Sequence, residues 1–250
     1  VVLYEEGAGE QDIQIPDPQI WWPRGMGAQP LYTLSIELLA ADGTLLDRDE
    51  KRIGLRTLRL VREFDPWGQS FAFEANGVPF FAKGANWIPA DSFVSRITAA
   101  DYEDLVQAAA DANMNMLRVW GGGVYEEDLF YDLCDRKGIC VWQDFMFACS
   151  AYPAHDLEWM ETVKAEVADT VRRLRHHACL ALWCGNNEIE QIKGLVGPDV
   201  AAGEMTWAEY KKLFDRLIPG VVTKLDPERD YWPSSPHSPQ GDRGDVQNPR

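Results

Sequence analysis

The chain has 250 residues, 46% hydrophobic and 11% aromatic, with ten Trp, enough apolar mass for a sizeable core in one large domain or two smaller ones. Forty acidic residues against 24 basic ones give a net charge of −16, and no Lys/Arg stripe interrupts that balance, which argues against nucleic acid and anionic membrane as partners. No apolar run is long enough to span a bilayer, and five cysteines with no Cys-x-x-Cys pair speak against a zinc ribbon and for buried free thiols in a reducing setting such as the cytoplasm.

Residues 1–62 read as β structure. In "LYTLSIEL", Tyr32, Leu34, Ile36 and Leu38 alternate with Thr33, Ser35 and Glu37, the period of a half-buried strand. Asp42-Gly43 supplies a turn, and Ile53, Leu55, Leu58 and Leu60 resume a strand pattern, which suggests part of an antiparallel sandwich. A second hairpin follows, with Phe71 and Phe73 before Asn76-Gly77 and Phe80-Phe81 after it.

From about residue 79 the pattern changes to alternating strand and helix. "PFFAKGANW" is the first strand candidate, and Thr98 with Asp101 forms a capping box that opens a helix through Tyr102, Leu105, Val106 and Ala109. "MNMLRVW" is the second strand, "EEDLFYDLCDRKG" a helix closed by Gly138, and "ICVWQDF" the third strand. Met160, Val163, Val167, Val171 and Leu174 then share one face of a long helix. "CLALWC" is a fourth strand, "WAEYKKLFDRLIPGVVTKL" another helix and "DYWPSS" a fifth strand. Such repetition implies parallel strands joined by right-handed crossovers. With no GxGxxG turn after the first strand, it favours a (β/α)8 TIM barrel over a dinucleotide fold.

In a TIM barrel the chemistry sits at the C-terminal ends of the strands. Here those ends read Asn86-Trp87, Arg118-Val119-Trp120, Gln143-Asp144, Asn186-Asn187-Glu188 and Trp232 with Ser234-Ser235. Trp, Asn and carboxylate together suit a sugar: indole rings stack on a pyranose face while amides and acids bind its hydroxyls. Other readings stand beside this one. Trp87 is as much a core candidate as a site residue, whereas the strand-end position of Trp120 favours the site. Asp91 and Arg118 are site residues or ion-pair partners. Gly121-Gly122-Gly123 is a tight turn and not a phosphate cradle, since no Gly-Lys-Ser/Thr follows. Asp144 and His155 are too few ligands for a metal. His176-His177 cap the long helix, and Glu190 is structural.

Several long strings carry a family resemblance: "WWPRGMGAQPLY", "NGVPFFAKGANWIPADSF", "NMNMLRVWGGGVYEEDLFYDLCDRKGICVWQDFMFACSAYP" and "WCGNNEIE". Over roughly residues 15–250 the chain resembles the β-mannosidase branch of glycoside hydrolase family 2. The resemblance implies a retaining β-glycosidase that removes terminal β-D-mannose from oligosaccharides or glycans and needs no cofactor or metal. It also implies that residues 1–62 end an immunoglobulin-like sandwich and that 63–250 carry about the first five of eight barrel strands. By the same resemblance Glu188 is the acid/base, Asn187 contacts the sugar near its 2-hydroxyl, and Trp120 and Asp144 line the −1 subsite. Trp87 is kept as a further substrate-binding candidate.

The chain begins "VVLYEEG" and ends "GDRGDVQNPR", so both ends are expected to lie inside a longer polypeptide. The family's nucleophilic glutamate ends strand seven, so none is assigned within 1–250, and this segment alone is expected to be inactive. A retaining enzyme sets its two carboxyl groups about 5–5.5 Å apart and needs the acid protonated near neutral pH. Desolvation and like charge at an aromatic-lined strand end are the expected means. The alternatives are another family 2 glycosidase (β-galactosidase, β-glucuronidase or exo-glucosaminidase) and a non-catalytic carbohydrate-binding fragment.

Overall fold

The structure is a computed structural model and describes residues 12–192, 196–197 and 205–238. The expected elements from Tyr32 onward are present. Strands β1 (Tyr32–Leu39) and β2 (Leu45–Ile53) form an antiparallel hairpin in which Tyr32 faces Ile53 and Leu38 faces Asp47. The period-2 pattern yields the strand but not the expected burial. Ile36 and Leu38 are 58% and 60% exposed, because the residues opposite them are Asp49 and Asp47 and nothing among the described residues covers that face.

Strand β3 (Leu58–Val61) begins a second antiparallel sheet. After a small hairpin of β4 (Phe64–Asp65) and β5 (Gly68–Gln69), β6 (Ala72–Ala75) and β7 (Val78–Phe80) complete it in the order β3-β6-β7. This sheet straddles residue 62. Leu60 N–H donates to Asp230 Oδ2 at 2.7 Å, and Arg56 donates to the carbonyls of Ala178 and Leu180, both at 3.0 Å. Trp21 is fully buried, and its indole N–H donates to the Asp135 carbonyl at 2.8 Å, which ties the leading segment to the same end of the molecule.

Five parallel strands form the central sheet: β8 (Gly84–Trp87), β9 (Met116–Val119), β10 (Cys140–Asp144), β11 (Leu180–Cys184) and, after β12 (Val196–Gly197) and β13 (Met205–Thr206), β14 (Tyr231–Trp232). They lie side by side in chain order, β8-β9-β10-β11-β14. The intervening helices are α1 (Ala99–Asp111), α2 (Asp128–Lys137), α3 (Leu157–Leu174), α4 (Trp207–Lys212) and α5 (Ile218–Leu225), the last two joined by a π-helical stretch over Leu213–Leu217. Each helix returns the chain to the next neighbouring strand, so the sheet resembles five consecutive strands of a TIM barrel.

The local signals explain these helices. The capping box of Thr98 and Asp101 starts α1, and Thr206 with Glu209 repeats it at α4. Gly138 closes α2 at φ 72. Met160, Val163, Val167, Val171 and Leu174 are buried along one face of α3. "PFFAKGANW" splits between β7 and β8 because buried Asn115 interrupts it: its Oδ1 accepts from Lys83 N–H at 2.7 Å and its Nδ2 donates to the Phe81 carbonyl at 3.0 Å. Cys134, Cys140, Cys179 and Cys184 are buried free thiols, while Cys149 is exposed.

Candidate active site

Alternation along the parallel strands sorts the strand-end side chains between two faces. Asn86 of β8, Arg118 of β9 and Trp142 of β10 share one row of the register, and Asp144 follows two residues on. Trp87, Val119 and Gln143 form the neighbouring row, on the helix side, where Tyr131 O–H of α2 donates to Gln143 Oε1 at 2.6 Å.

That parity corrects the expectation for Trp87. Its ring packs between α1 and α2, 4.6 Å from the Phe130 centroid and stacked on Tyr102. Its indole N–H donates to Glu126 Oε1 at 2.9 Å, and Tyr102 O–H donates to Glu126 Oε2 at 2.6 Å. Trp87 is 7% exposed and belongs to the core between sheet and helices.

The expectation that Asp144 contacts a sugar is corrected too. The side chain is 0% exposed, and four donors occupy its oxygens. Arg118 Nε and Trp142 Nε1 reach Oδ1 at 3.2 and 2.9 Å, while Arg118 Nη2 and Gly121 N–H reach Oδ2 at 2.7 and 3.0 Å. Burial holds its carboxyl above the ordinary carboxylate range, against the opposing pull of Arg118 and the other donors. Arg118 is therefore an ion-pair partner, and it also donates to Asn86 Oδ1 at 3.2 Å and Asn187 Oδ1 at 2.8 Å.

Beyond β11 the backbone continues in sheet-like pairing for a few residues. Asn187 N–H donates to the Phe147 carbonyl at 2.9 Å, Cys149 N–H to the Asn187 carbonyl at 3.1 Å, and Glu188 N–H to the Ser235 carbonyl at 3.1 Å. Isolated bridges pair Asn187 with Ala148 on one side and Ser235 on the other. Glu188 then turns into the left-handed region at φ 63, which costs a non-glycine residue roughly 1–3 kcal/mol and persists where neighbouring bonds impose it. Its carboxyl is half-buried, with Cys149 Sγ 3.4 Å from Oε2. Cys149 had no sequence signal: it lies in a loop five residues past β10 and becomes visible only through this contact.

Asn186, adjacent in sequence, does different work. Its Nδ2 donates to Tyr210 O–H at 3.0 Å and the Pro233 carbonyl at 2.8 Å, and its Oδ1 accepts from Ser234 Oγ at 2.7 Å. Glu190 is buried, with Tyr210 O–H at 2.5 Å and His237 Nδ1 at 3.0 Å, in line with a structural role. Trp120 is half-buried at the end of β9, its indole lying over Gly122, where a Cβ would meet the ring at 2.1 Å. A Cβ on Gly121 would meet the Phe145 carbonyl at 2.7 Å, so the glycine run is the tight turn expected from the sequence.

The remaining candidates lie elsewhere. Asp91 pairs with exposed Arg96 at 2.6 Å, and His155 pairs with Glu209 at 3.3 Å, while Asp144 pairs with Arg118. His176 is no cationic helix cap: burial and the adjacent His177 push it down to about 4. His177 is buried with Nδ1 2.7 Å from Asp135 Oδ2. Asp135, His177 and Cys179 could together hold a metal ion, but Asp135 already accepts from Cys179 N–H at 2.7 Å as well as from His177, so the trio is read as a structural pin. No helix among the described residues is long and apolar enough to cross a membrane.

Residues 2–56 match the model of the Glycosyl hydrolases family 2. The chain is 45% identical over 222 residues to a β-mannosidase of Bos taurus, covering 87% of this chain and 25% of that protein. The crystal structure of a β-D-mannosidase from Dictyoglomus thermophilum superposes with a TM-score of 0.82 at 46% identity, covering 90% of this chain and 27% of that one. An exo-chitosanase of Amycolatopsis orientalis shares the fold at a TM-score of 0.67 and 19% identity, over 90% of this chain and 25% of its own. The chain thus spans about a quarter of the length of the curated relatives it matches. By these matches it belongs to the Glycosyl hydrolases family 2, on the β-mannosidase branch.

Proposed function

We propose that the protein carrying this chain is a retaining β-mannosidase that removes terminal β-D-mannose from oligosaccharides or glycans. The observation that carries the reading is Asn187-Glu188 at the C-terminal end of β11, in a chain 45% identical to a named β-mannosidase. Glu188 serves as the acid/base: it protonates the leaving oxygen in the first step and deprotonates the attacking water in the second. Asn187 binds the sugar near its 2-hydroxyl, and Trp120 walls the −1 subsite. Asp144 supports them from behind through Arg118.

The nucleophilic carboxylate comes from outside residues 1–250, so this segment by itself turns over no mannoside. Residues 1–62 are read as the end of an immunoglobulin-like sandwich and 63–250 as the start of the barrel, but the border moves toward residue 57, because the family match stops at residue 56 and β3 pairs with β6 across residue 62.

The test uses a protein of the relatives' full length that carries this segment. Glu188→Gln should cut turnover of mannosides with poor leaving groups by several orders of magnitude, and that of activated aryl mannosides far less, since these need little protonation. Equal losses on both would refute the acid/base role. A panel of aryl β-mannoside, β-galactoside, β-glucuronide and β-glucosaminide separates the mannosidase reading from other family 2 activities.

A further inference from the structure

We infer that Cys149 is a positioning residue for Glu188, its thiol being the last donor in a one-way hydrogen-bond chain that begins at the buried Asp144–Arg118 pair. The inference rests on the reading of Glu188 as the acid/base. The direction of the chain follows from the groups themselves. A guanidinium has donors and no acceptor, so Asn187 must turn Oδ1 toward Arg118, at 2.8 Å. Its Nδ2 then faces away and donates to Cys149 Sγ at 3.4 Å. A sulfur that accepts there keeps its hydrogen for Glu188 Oε2, also at 3.4 Å. Reversing the Asn187 link would set its amide NH2 against Arg118, and an ionised Glu188 carboxylate can only accept from Cys149. Donors in series polarise one another, so the weak S–H bond is stronger here than in isolation.

The backbone supports the same assignment. Cys149 and Glu188 both occupy the left-handed region, at φ 49 and φ 63, and face each other across the Cys149 N–H bond to the Asn187 carbonyl. Two non-glycine residues hold that conformation together only where surrounding bonds impose it. Cys149 is also exposed while the other four cysteines are buried, so packing does not account for its thiol. Desolvation at the loop and the Glu188 carboxyl hold the thiol above its usual range, which keeps the S–H present at neutral pH. The other titratable and charged groups at this end are engaged: Arg118 with Asp144, Glu190 with His237 and Tyr210, and Tyr152 O–H with Ala148 N–H.

A donor on a carboxylate favours its ionised form. Removing it lets the protonated acid persist to higher pH, which moves the alkaline limb of the kcat/KM profile upward. In a protein of the relatives' full length carrying this segment, Cys149→Ala should raise that limb by about half a pH unit on a poor-leaving-group aryl β-mannoside. Cys149→Ser keeps a donor and should leave the limb near the parent's position. Loss of folded protein scales the whole profile without moving its limbs, so a structural role gives a different result. If Cys149→Ala does not fold, Cys149→Gly also lacks the donor, tolerates positive φ, and should show the same shift. A limb that stays in place in the donor-free variants, while Glu188→Gln is impaired, overturns the inference alone. A Glu188→Gln protein with undiminished turnover overturns the reading of Glu188 and the inference with it.

Discussion

Asp144 grips Arg118 with both carboxylate oxygens, Oδ1 lying 3.2 Å from Nε and Oδ2 2.7 Å from Nη2, and water reaches none of its side chain. Arg118 is itself only 16% exposed, so it depends on that partner. Asp144→Ala would leave a nearly buried cation unpaired and should cost about 3–5 kcal/mol of stability. Thermal and denaturant unfolding would measure the loss, and an Asp144→Ala protein as stable as its parent would show that the pair is dispensable.

Trp87 fills the space between β8, α1 and α2 and satisfies buried Glu126. Trp87→Ala should destabilise by about 3–5 kcal/mol through the cavity and the lost donor. Because the ring faces the helix layer, KM of the protein that still folds should be close to the parent's. A raised KM at unchanged stability would return Trp87 to the sugar site.

For Asn187 and Trp120 the opposite balance is expected. Each is proposed to act on the sugar, so Asn187→Ala and Trp120→Ala should each lower kcat/KM by a factor equivalent to about 1–3 kcal/mol. Either variant retaining the parent's kcat/KM would misplace the −1 pocket.

His176 gives a pH dependence whose sign can be worked out. Folding lowers it from 6.5 to about 4, through burial first and then the neighbouring His177 and Lys51, with Asp135 and Asp128 opposing. The unfolded chain therefore binds the extra proton between those values. The contribution of this group is full above pH 6.5, is lost as pH falls toward 4, and stops changing below that. The slope is at most about 1.4 kcal/mol per pH unit, reduced by the water that still reaches the ring. Unfolding midpoints between pH 4 and 7 would measure it, and His176→Gln should flatten the curve. An unchanged slope in that variant would assign the acid sensitivity to other groups.

The sheet and its helices were legible in the sequence because their signals are local: the capping box at Thr98, Gly138 at the end of α2, the apolar face from Met160 to Leu174. Asn187 and Glu188 could be found because a buried strand runs directly into them. Which way Trp87 points was not legible. That depends on where β8 begins, and the start is set by Asn115, 32 residues from the Lys83 amide it binds. The burial of Asp144 was hidden for a similar reason, since Arg118 lies 26 residues away. Cys149 sits 39 residues from Glu188, and no periodicity links them. The exposed face of β1 shows a further limit: alternation fixes which side chains share a face, not what covers it.

The bridges from Asn187 to Ala148 and Ser235 are made by peptide groups, so the location of Glu188 is encoded in the main chain and is largely indifferent to side-chain identity in the two flanking loops. Those loops can then diverge, or be exchanged by an engineer, to reshape the rim of the cleft while the carboxylate keeps its address. Selectivity and proton transfer become separately tunable, one written in loop side chains and the other in a stretch of extended backbone.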